Sequence, residues 1–163
     1  MDEPRASRPF IPNYGVADAT GGKGLLPWSW ARERLERAHN YWIATMRPEG
    51  APHVMPIWGL WADESFYFST DRSSRKFRNL LANPKCVVCP ENAAEAVMVE
   101  GEFTGEVKDA AVLEQLAEIY KKKYDWDVKG FLFYGVQPRV LFGFIETNSD
   151  FTKTATRWNF SNI

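Results

Sequence analysis

The chain has 163 residues, a formal net charge of -1 and a hydrophobic fraction of 45%, which suits one domain with a real core and argues against a general nucleic-acid-binding protein. Its aromatic fraction of 15% is high; such side chains often face a planar ligand or a partner subunit, although core packing is the commoner explanation. The sequence contains no apolar run of membrane-spanning length and no signal-peptide layout, so we expect a cytoplasmic protein without a membrane partner.

Residues 1–27 carry four prolines and four glycines and show no hydrophobic period. We expect an extended or disordered N-terminal arm here, followed by a single domain over residues 28–163. Within the arm, residues 21–24 read Gly-Gly-Lys-Gly, but the preceding strand and the following Ser or Thr of a phosphate loop are missing. This run is therefore not assigned to a phosphate site.

A helix and a β-hairpin are predicted next. Ser29 can cap a helix that ends at about His39, and residues 41–46 and 53–61 read as the two strands of a hairpin. The second strand is apolar on both faces, which predicts a barrel interior behind it and another layer in front of it. Pro56 removes one backbone donor, so this strand is expected at a sheet edge or a bulge, where neighbouring backbone groups are free for a ligand.

The stretch 66–84 is predicted to fold as a strand, a polar turn and a helix with Ser73 or Ser74 as its N-cap. Cationic side chains crowd the beginning of this helix, where the helix dipole disfavours positive charge by about 0.3 to 1 kcal/mol each. Together with the first-turn N–H groups and the serine hydroxyls, they predict a phosphate-binding site; a solvated basic turn is the alternative. The cations are Arg72, Arg75, Lys76 and Arg78.

The rest of the chain adds strands and one longer helix. Residues 96–107 alternate cleanly, Asp109 caps a helix to about Tyr124, and residues 125–137 look irregular. Further strands are predicted over 85–89, 139–147 and 154–160. About six antiparallel strands with few helices predict a mainly β fold, a small β-barrel with flanking helices.

The sequence shows no convincing catalytic or metal-binding side-chain set. Cys86 and Cys89 point to opposite faces of a predicted strand and are interpreted as small core residues. The two histidines lack the spacing of a Ser-His-Asp triad or a metal site. His39 lies at a helix end, and His53 could edge a cofactor pocket, although a structural histidine is the commoner case. Catalytic residues are left unassigned and no metal is expected.

Several motifs, in the order in which they occur along the chain, resemble those of the flavin-binding split-barrel superfamily of pyridoxamine 5'-phosphate oxidase-like proteins. They are Thr70, then Ser74-Arg75-Lys76, then Asn83-Pro84 before a strand, with the apolar hairpin strand upstream. The resemblance covers roughly residues 30–160 and implies a six-stranded antiparallel split barrel that binds FMN. It also implies a homodimer with two cofactor sites at the subunit interface, which would account for the second apolar face of the hairpin strand.

The resemblance assigns cofactor contacts to particular positions. It places Thr70, Ser74, Arg75 and Lys76 at the FMN phosphate and the segment from Met55 to Trp58 beside the isoalloxazine ring. The complete set of implied cofactor-binding residues is Met55, Pro56, Ile57, Trp58, Ser69, Thr70, Ser74, Arg75, Lys76, Arg157 and Trp158.

Two departures favour a reaction other than pyridoxamine phosphate oxidation. The chain lacks the oxidases' C-terminal segment that grips the substrate phosphate, and it has Ala96-Val97 where they present Gln-Val. Its tail, with Arg157 and Trp158, is similar to reductase-like members in which a C-terminal aromatic side chain approaches the ring. We therefore expect an FMN-dependent oxidoreductase acting on a small organic molecule. The alternatives are a reductase that uses the deazaflavin coenzyme F-420 and a non-catalytic flavin- or haem-binding protein.

Overall fold

The computed structural model describes residues 3–16, 24–147 and 149–160, and within them it contains nine strands and four helices. The strands are β1 (Arg5–Ser7), β2 (Tyr41–Met46), β3 (Pro52–Ile57), β4 (Gly59–Ala62), β5 (Ser65–Phe68), β6 (Lys85–Pro90), β7 (Glu95–Glu106), β8 (Tyr134–Ile145) and β9 (Thr156–Asn159). The helices are α1 (Trp28–Arg37), α2 (Arg75–Ala82), α3 (Ala110–Tyr124) and α4 (Phe151–Thr154).

The strands form one antiparallel sheet in the order β1-β9-β8-β7-β6-β2-β3, with β5 joining β8 and β4 joining β5. The two ends of this order, β1 and β3, do not pair with each other in the described part of the chain, so the sheet is open, as in a split barrel. The predicted mainly β, antiparallel architecture is confirmed. The strand count exceeds six because several strands have only three or four residues.

The hairpin strand predicted over residues 53–61 is two strands. The chain leaves β3 after Ile57, and β4 then pairs with β5 instead of β2. Gly59 begins β4 because a Cβ there would lie 2.2 Å from the ring of Phe66. Strand β3 keeps apolar residues on both of its faces, whereas Leu60 and Trp61 of the predicted run belong to β4. Pro56 does lie on an edge strand, opposite Trp42, as predicted.

Three local predictions differ from the structure. Ser29 does not cap α1, because the helix begins at Trp28, two residues earlier than a Ser29 cap would place it, and Pro27 is its N-cap. The irregular segment was predicted to extend to residue 137, but it is shorter because β8 begins at Tyr134. This strand pairs with both β5 and β7. The last predicted strand is shorter, since α4 occupies residues up to Thr154.

The N-terminal arm is extended over Arg5–Ser7, where β1 pairs with β9. Leu26 is buried, and its N–H donates to the hydroxyl of Thr156 at 2.8 Å. Residues 21–23 of the Gly-Gly-Lys-Gly run lie outside the described residues. The boundary between arm and domain stays a prediction.

Two apolar clusters hold the elements together. The larger one fills the space between the sheet and α1, and Trp28, Tyr41, Phe66 and Trp158 are among its members. The smaller one joins α3 to β4; it is made of Leu60, Leu116, Tyr120, Tyr124, Val128 and Phe133. Burying each large apolar side chain contributes about 1.5 to 3 kcal/mol. Within the described residues, no helix has both the length and the apolar character needed to span a bilayer.

The two cysteines lie on opposite sides of β6, as predicted. Cys86 is buried and Cys89 half-buried, and both are free thiols. Burial raises the pKa of Cys86 to about 12 and that of Cys89 to about 11. Both thiols therefore stay protonated near neutral pH and are unreactive as nucleophiles.

Candidate functional site

The turn between β5 and α2 is built by side-chain hydrogen bonds. The Ser74 hydroxyl accepts a hydrogen bond from the Phe77 N–H at 3.3 Å, and it lies 3.2 Å from the Thr70 hydroxyl. Ser74 is therefore the N-cap of α2. Ser73 instead donates both its N–H and its hydroxyl to the carboxylate of Asp71, and these bonds lower the pKa of that carboxyl.

The cations at this turn fall into two groups. Arg72 donates to Glu106 and, at 3.4 Å, to the Tyr134 hydroxyl. In the described part of the chain, no ion pair or hydrogen bond joins the side chains of Arg75, Lys76 and Arg78 to another group. Lys76 is half-buried, and burial lowers its pKa. A partly desolvated ammonium without a carboxylate is a strong binding point for an anion.

Helix α2 lies over one face of the β2–β3 hairpin, which we call the inner face. Asn79, fully buried on α2, donates from its amide to the hydroxyl of buried Thr45 at 3.0 Å. The strand register pairs alternate residues of β3 with the buried residues of β2, so these β3 residues also lie on the inner face. These pairs are Tyr41 with Ile57, Ile43 with Met55, and Thr45 with His53.

Four of the predicted cofactor residues lie on or beside the inner face. Met55 and Ile57 lie on it, with Met55 41% exposed, and the first turn of α2 carries Arg75 and Lys76 beside it. Pro56 points to the other side, opposite Trp42. The site therefore combines an apolar strand edge with a cationic helix start.

His53 lies within the positive field of this site. Its Nδ1 is 3.5 Å from the Thr45 hydroxyl oxygen. Burial first, and then the charges of Arg47, Lys76 and Arg75, hold the pKa of His53 below its usual range. From the sequence, His53 was assigned only a possible position at the edge of a pocket, because nothing local in the chain connects it with α2.

An open cleft of about 620 Å³ adjoins the turn before α2. Ser69 and Thr70 contribute to its wall together with two exposed apolar residues of the loop after α3, Phe131 and Leu132. The roles of Ser69 and Thr70 in cofactor binding stay predictions.

Trp58 lies just beyond the end of β3, in an aromatic cluster. Its ring stacks on Tyr124 with a centroid distance of 4.7 Å, and its indole N–H donates to the Asn40 side chain at 3.1 Å. Next to this stack, the Lys123 ammonium donates to the Tyr41 hydroxyl at 2.9 Å, and burial lowers the pKa of Lys123 to about 8. Lys123 was missed because only the apolar stripe of α3 was considered.

Two predicted residues lie elsewhere. Trp158 is fully buried, and its ring packs edge-on against Trp28 at 5.8 Å. Its strand, β9, pairs with β8 and β1, at the opposite end of the sheet order from β3. The structure therefore does not bring Trp158 to the inner-face site, because its ring is used for core packing. Arg157, half-buried in register with Ser7, likewise lies on β9.

The opposite side of the hairpin, the outer face, is apolar and exposed. Trp42 and Val54 are 48% and 52% exposed, and Met46 is 40% exposed. An open cavity of about 520 Å³ lies on this face. Its walls include Ala44, Met46, Pro52, Val87, Glu100 and Glu102.

The donor set at the inner face fits a flavin phosphate. Backbone N–H groups of the first turn of α2, Lys76 and Arg75 supply donors suited to a phosphate monoester. Met55 supplies exposed apolar surface suited to a planar ring, with Ile57 buried in the core next to it.

Comparisons with known proteins show the family and the fold of the chain. The sequence model of the family described as pyridoxamine 5'-phosphate oxidase matches residues 30–146. No curated protein matches the chain. Among solved structures, a protein described as an F-420 reductase is 27% identical, covers 68% of this chain and 94% of its own, and superposes with a TM-score of 0.53.

Two further structures share the fold at lower identity. A FAD-binding protein from Mesorhizobium loti is 16% identical over 83% of this chain and 96% of its own, with a TM-score of 0.60. The haem storage protein from Vibrio cholerae is 18% identical over 71% of this chain and 89% of its own, with a TM-score of 0.57.

Proposed function

Because this chain belongs to the pyridoxamine 5'-phosphate oxidase family, we propose that it is an FMN-dependent oxidoreductase whose substrate is a small organic molecule other than pyridoxamine phosphate. One observation carries the proposal. Arg75 and Lys76 begin helix α2 and have no anionic partners in the described structure. This helix lies against the inner face of the β2–β3 hairpin, which includes the apolar edge strand β3. A phosphate attached to a planar ring system satisfies both features at once.

Each part of the site has a defined role in this proposal. Arg75, Lys76 and the first-turn N–H groups of α2 hold the phosphate, with Ser69 and Thr70 beside them. Met55 flanks the ring, together with the edge of β3 that no other strand pairs with in the described part of the chain. The flavin, when bound, supplies the hydride or electron chemistry. The protein contributes orientation and excludes water, so no side-chain nucleophile is required.

We also propose that the chain is a homodimer with its cofactor sites at the interface. The outer face supports this, because Trp42, Met46 and Val54 form an exposed apolar surface beside an edge of β3 that has no pairing strand among the described residues. A second copy of the chain would cover this surface and reach around the edge of β3, where the interface would meet the cofactor site on the inner face. Light scattering on the purified protein tests the proposal: a mass near twice 18.7 kDa is expected, and a stable monomer would overturn it.

The test of cofactor binding is an absorbance spectrum taken after incubation with FMN and removal of the excess by gel filtration. We expect flavin bands to remain. Lys76→Ala should weaken FMN binding by about 10- to 100-fold, because a charge-assisted contact of about 1.5 to 3 kcal/mol is lost. The matched control is Lys122→Ala, which removes an exposed lysine of α3. Unchanged affinity of the Lys76 variant would refute the phosphate assignment.

Turnover is tested separately, with reduced pyridine nucleotides as electron donors and a panel of small organic acceptors. Oxidation of the nucleotide that depends on both FMN and an acceptor supports the enzymatic proposal. Tight FMN binding with no turnover under any of these conditions would leave a flavin-binding protein without catalytic function.

A second candidate is a reductase that uses coenzyme F-420, favoured by the 27% identity to the F-420 reductase. The same cationic helix start would hold the phosphate of the deazaflavin. Direct competition decides between the two: each cofactor is titrated against the protein loaded with the other, and the different absorbance and fluorescence of the deazaflavin report which one is bound.

A further inference from the structure

We propose that His53 is an additional ligand of the cofactor phosphate and that its ring takes up a proton when the phosphate binds. This inference rests on the proposed function. It adds a residue from the β2–β3 hairpin to a site otherwise built from α2 and the turn before it. It also predicts that cofactor binding is coupled to pH.

The position of His53 is fixed by a chain of contacts between two elements. The side chain of Asn79 on α2 donates to the Thr45 hydroxyl at 3.0 Å, and this hydroxyl oxygen is 3.5 Å from His53 Nδ1. Asn79 and Thr45 are both buried. This contact chain holds the hairpin against α2 and directs His53 to the same side as Arg75 and Lys76, which lie four and three residues before Asn79.

The charges around His53 are almost all positive. Arg75 and Lys76 face it from α2, and Arg47 faces it from the turn of the hairpin. Glu49 is the nearby acidic group of that turn, and it pairs with Arg47 at 3.9 Å. In the described part of the chain, His53 has no carboxylate hydrogen-bond partner.

This arrangement makes the protonation of His53 depend on the ligand. Without an anion, burial and the three cations lower the pKa of His53, so the ring is neutral at pH 7. A phosphate monoester brings a charge of about -1.5 to -2 into the same space. It favours the imidazolium and raises the pKa of His53, which can then donate to the phosphate from Nε2.

The sign of the pH effect follows from linkage. Between the lower pKa of His53 in the free protein and its higher pKa in the complex, binding takes up one proton. FMN affinity should therefore rise by up to tenfold for each pH unit of acidification in this window. The phosphate itself loses its second charge below about pH 6, which limits the gain at lower pH.

The experiment uses the fact that the chain has two histidines, His39 and His53. The ring proton resonances of both are titrated by NMR in the free protein, with FMN, and with riboflavin, which has the same ring system but no phosphate. The His39→Gln variant assigns the signals. We expect FMN to raise the pKa of His53 by one unit or more and riboflavin to leave it unchanged, with no change at His39 in either case.

Binding measurements on His53→Gln complete the test. This variant should lose about 5- to 10-fold in FMN affinity at pH 6, keep its riboflavin affinity, and show a flatter pH dependence than the unmodified protein. Thermal melting verifies that it folds. Tight FMN binding with an unmoved His53 titration overturns this inference but leaves the proposed function intact. Absence of FMN binding overturns both.

Discussion

Helices α1 and α2 both carry several cationic side chains, but these cations differ in whether they pair with acidic side chains. In α1, arginines alternate with glutamates, and Arg37 pairs with Glu33 at 2.7 Å while Arg34 pairs with Glu95. Helix α2 contains no acidic residue. The side chains of Arg75, Lys76 and Arg78 have no ion pair within the residues that the structure describes.

The helix dipole increases this difference. The arginines of α1 include two in its last turn, where positive charge is favourable, whereas the cations of α2 begin at its first residue. The charges of α1 therefore contribute to the stability of the folded chain. Those of α2 oppose each other and the dipole until an anion is present. This comparison separates structural cations from cations available to a ligand.

The largest expected effect on stability is at Arg34. Its guanidinium lies 3.9 Å from the centroid of the Trp30 ring and also pairs with Glu95. Arg34→Ala should lower the free energy of unfolding by about 1 to 2 kcal/mol, because both contacts are lost. Lys76→Ala, measured without cofactor, should change it by less than about 0.5 kcal/mol. Urea unfolding of the three proteins measures both values, and equal losses would contradict the distinction between the helices.

The N-caps of the two helices provide a second comparison, with a smaller expected effect on stability. Ser74 accepts the Phe77 N–H, whereas the N-cap of α1 is Pro27, which makes no side-chain cap. Ser74→Ala should therefore cost about 1 kcal/mol of stability and Ser29→Ala less than about 0.5 kcal/mol. Thermal unfolding of both variants checks this. A similar loss in the two would mean that the capping bond at Ser74 contributes little.

Local signals explain which parts of the fold could be predicted. The bounds of β2 and the Asp109 cap of α3 were predicted correctly, since alternation and capping act within a few residues. The beginning of β8 at Tyr134 was missed because its pairing partners lie far away in sequence: Tyr134 faces Phe68 and Val136 faces Phe66. Loop composition alone cannot reveal such a partner.

The same distinction between local and long-range signals applies to the candidate site. Ser74, Arg75 and Lys76 form a contiguous motif and could be found in the sequence, but the approach of α2 to His53 depends on tertiary packing through Thr45 and Asn79.

Trp158 was placed near the cofactor from its resemblance to family members, whereas the structure buries it in the core. Gly143 of β8 makes room for it, since a Cβ there would lie 2.7 Å from the indole. A glycine within a strand often signals such a close approach, so this was a usable sign in the sequence.

The smallest effect is expected at Arg72, which tests whether pairing, and not mere proximity to α2, decides which cations bind the cofactor. Its guanidinium is held by Glu106 and the Tyr134 hydroxyl, whereas the ammonium of Lys76 has no partner among the residues that the structure describes. Arg72→Ala should therefore weaken FMN binding by no more than about threefold, as expected for an exposed charge at a distance. Glu106→Gln, which releases Arg72, should strengthen binding by a similar factor. Fluorescence titrations with FMN at low and high salt measure both changes; a loss at Arg72 as large as that at Lys76 would show that the ion pair to Glu106 does not keep Arg72 from the ligand.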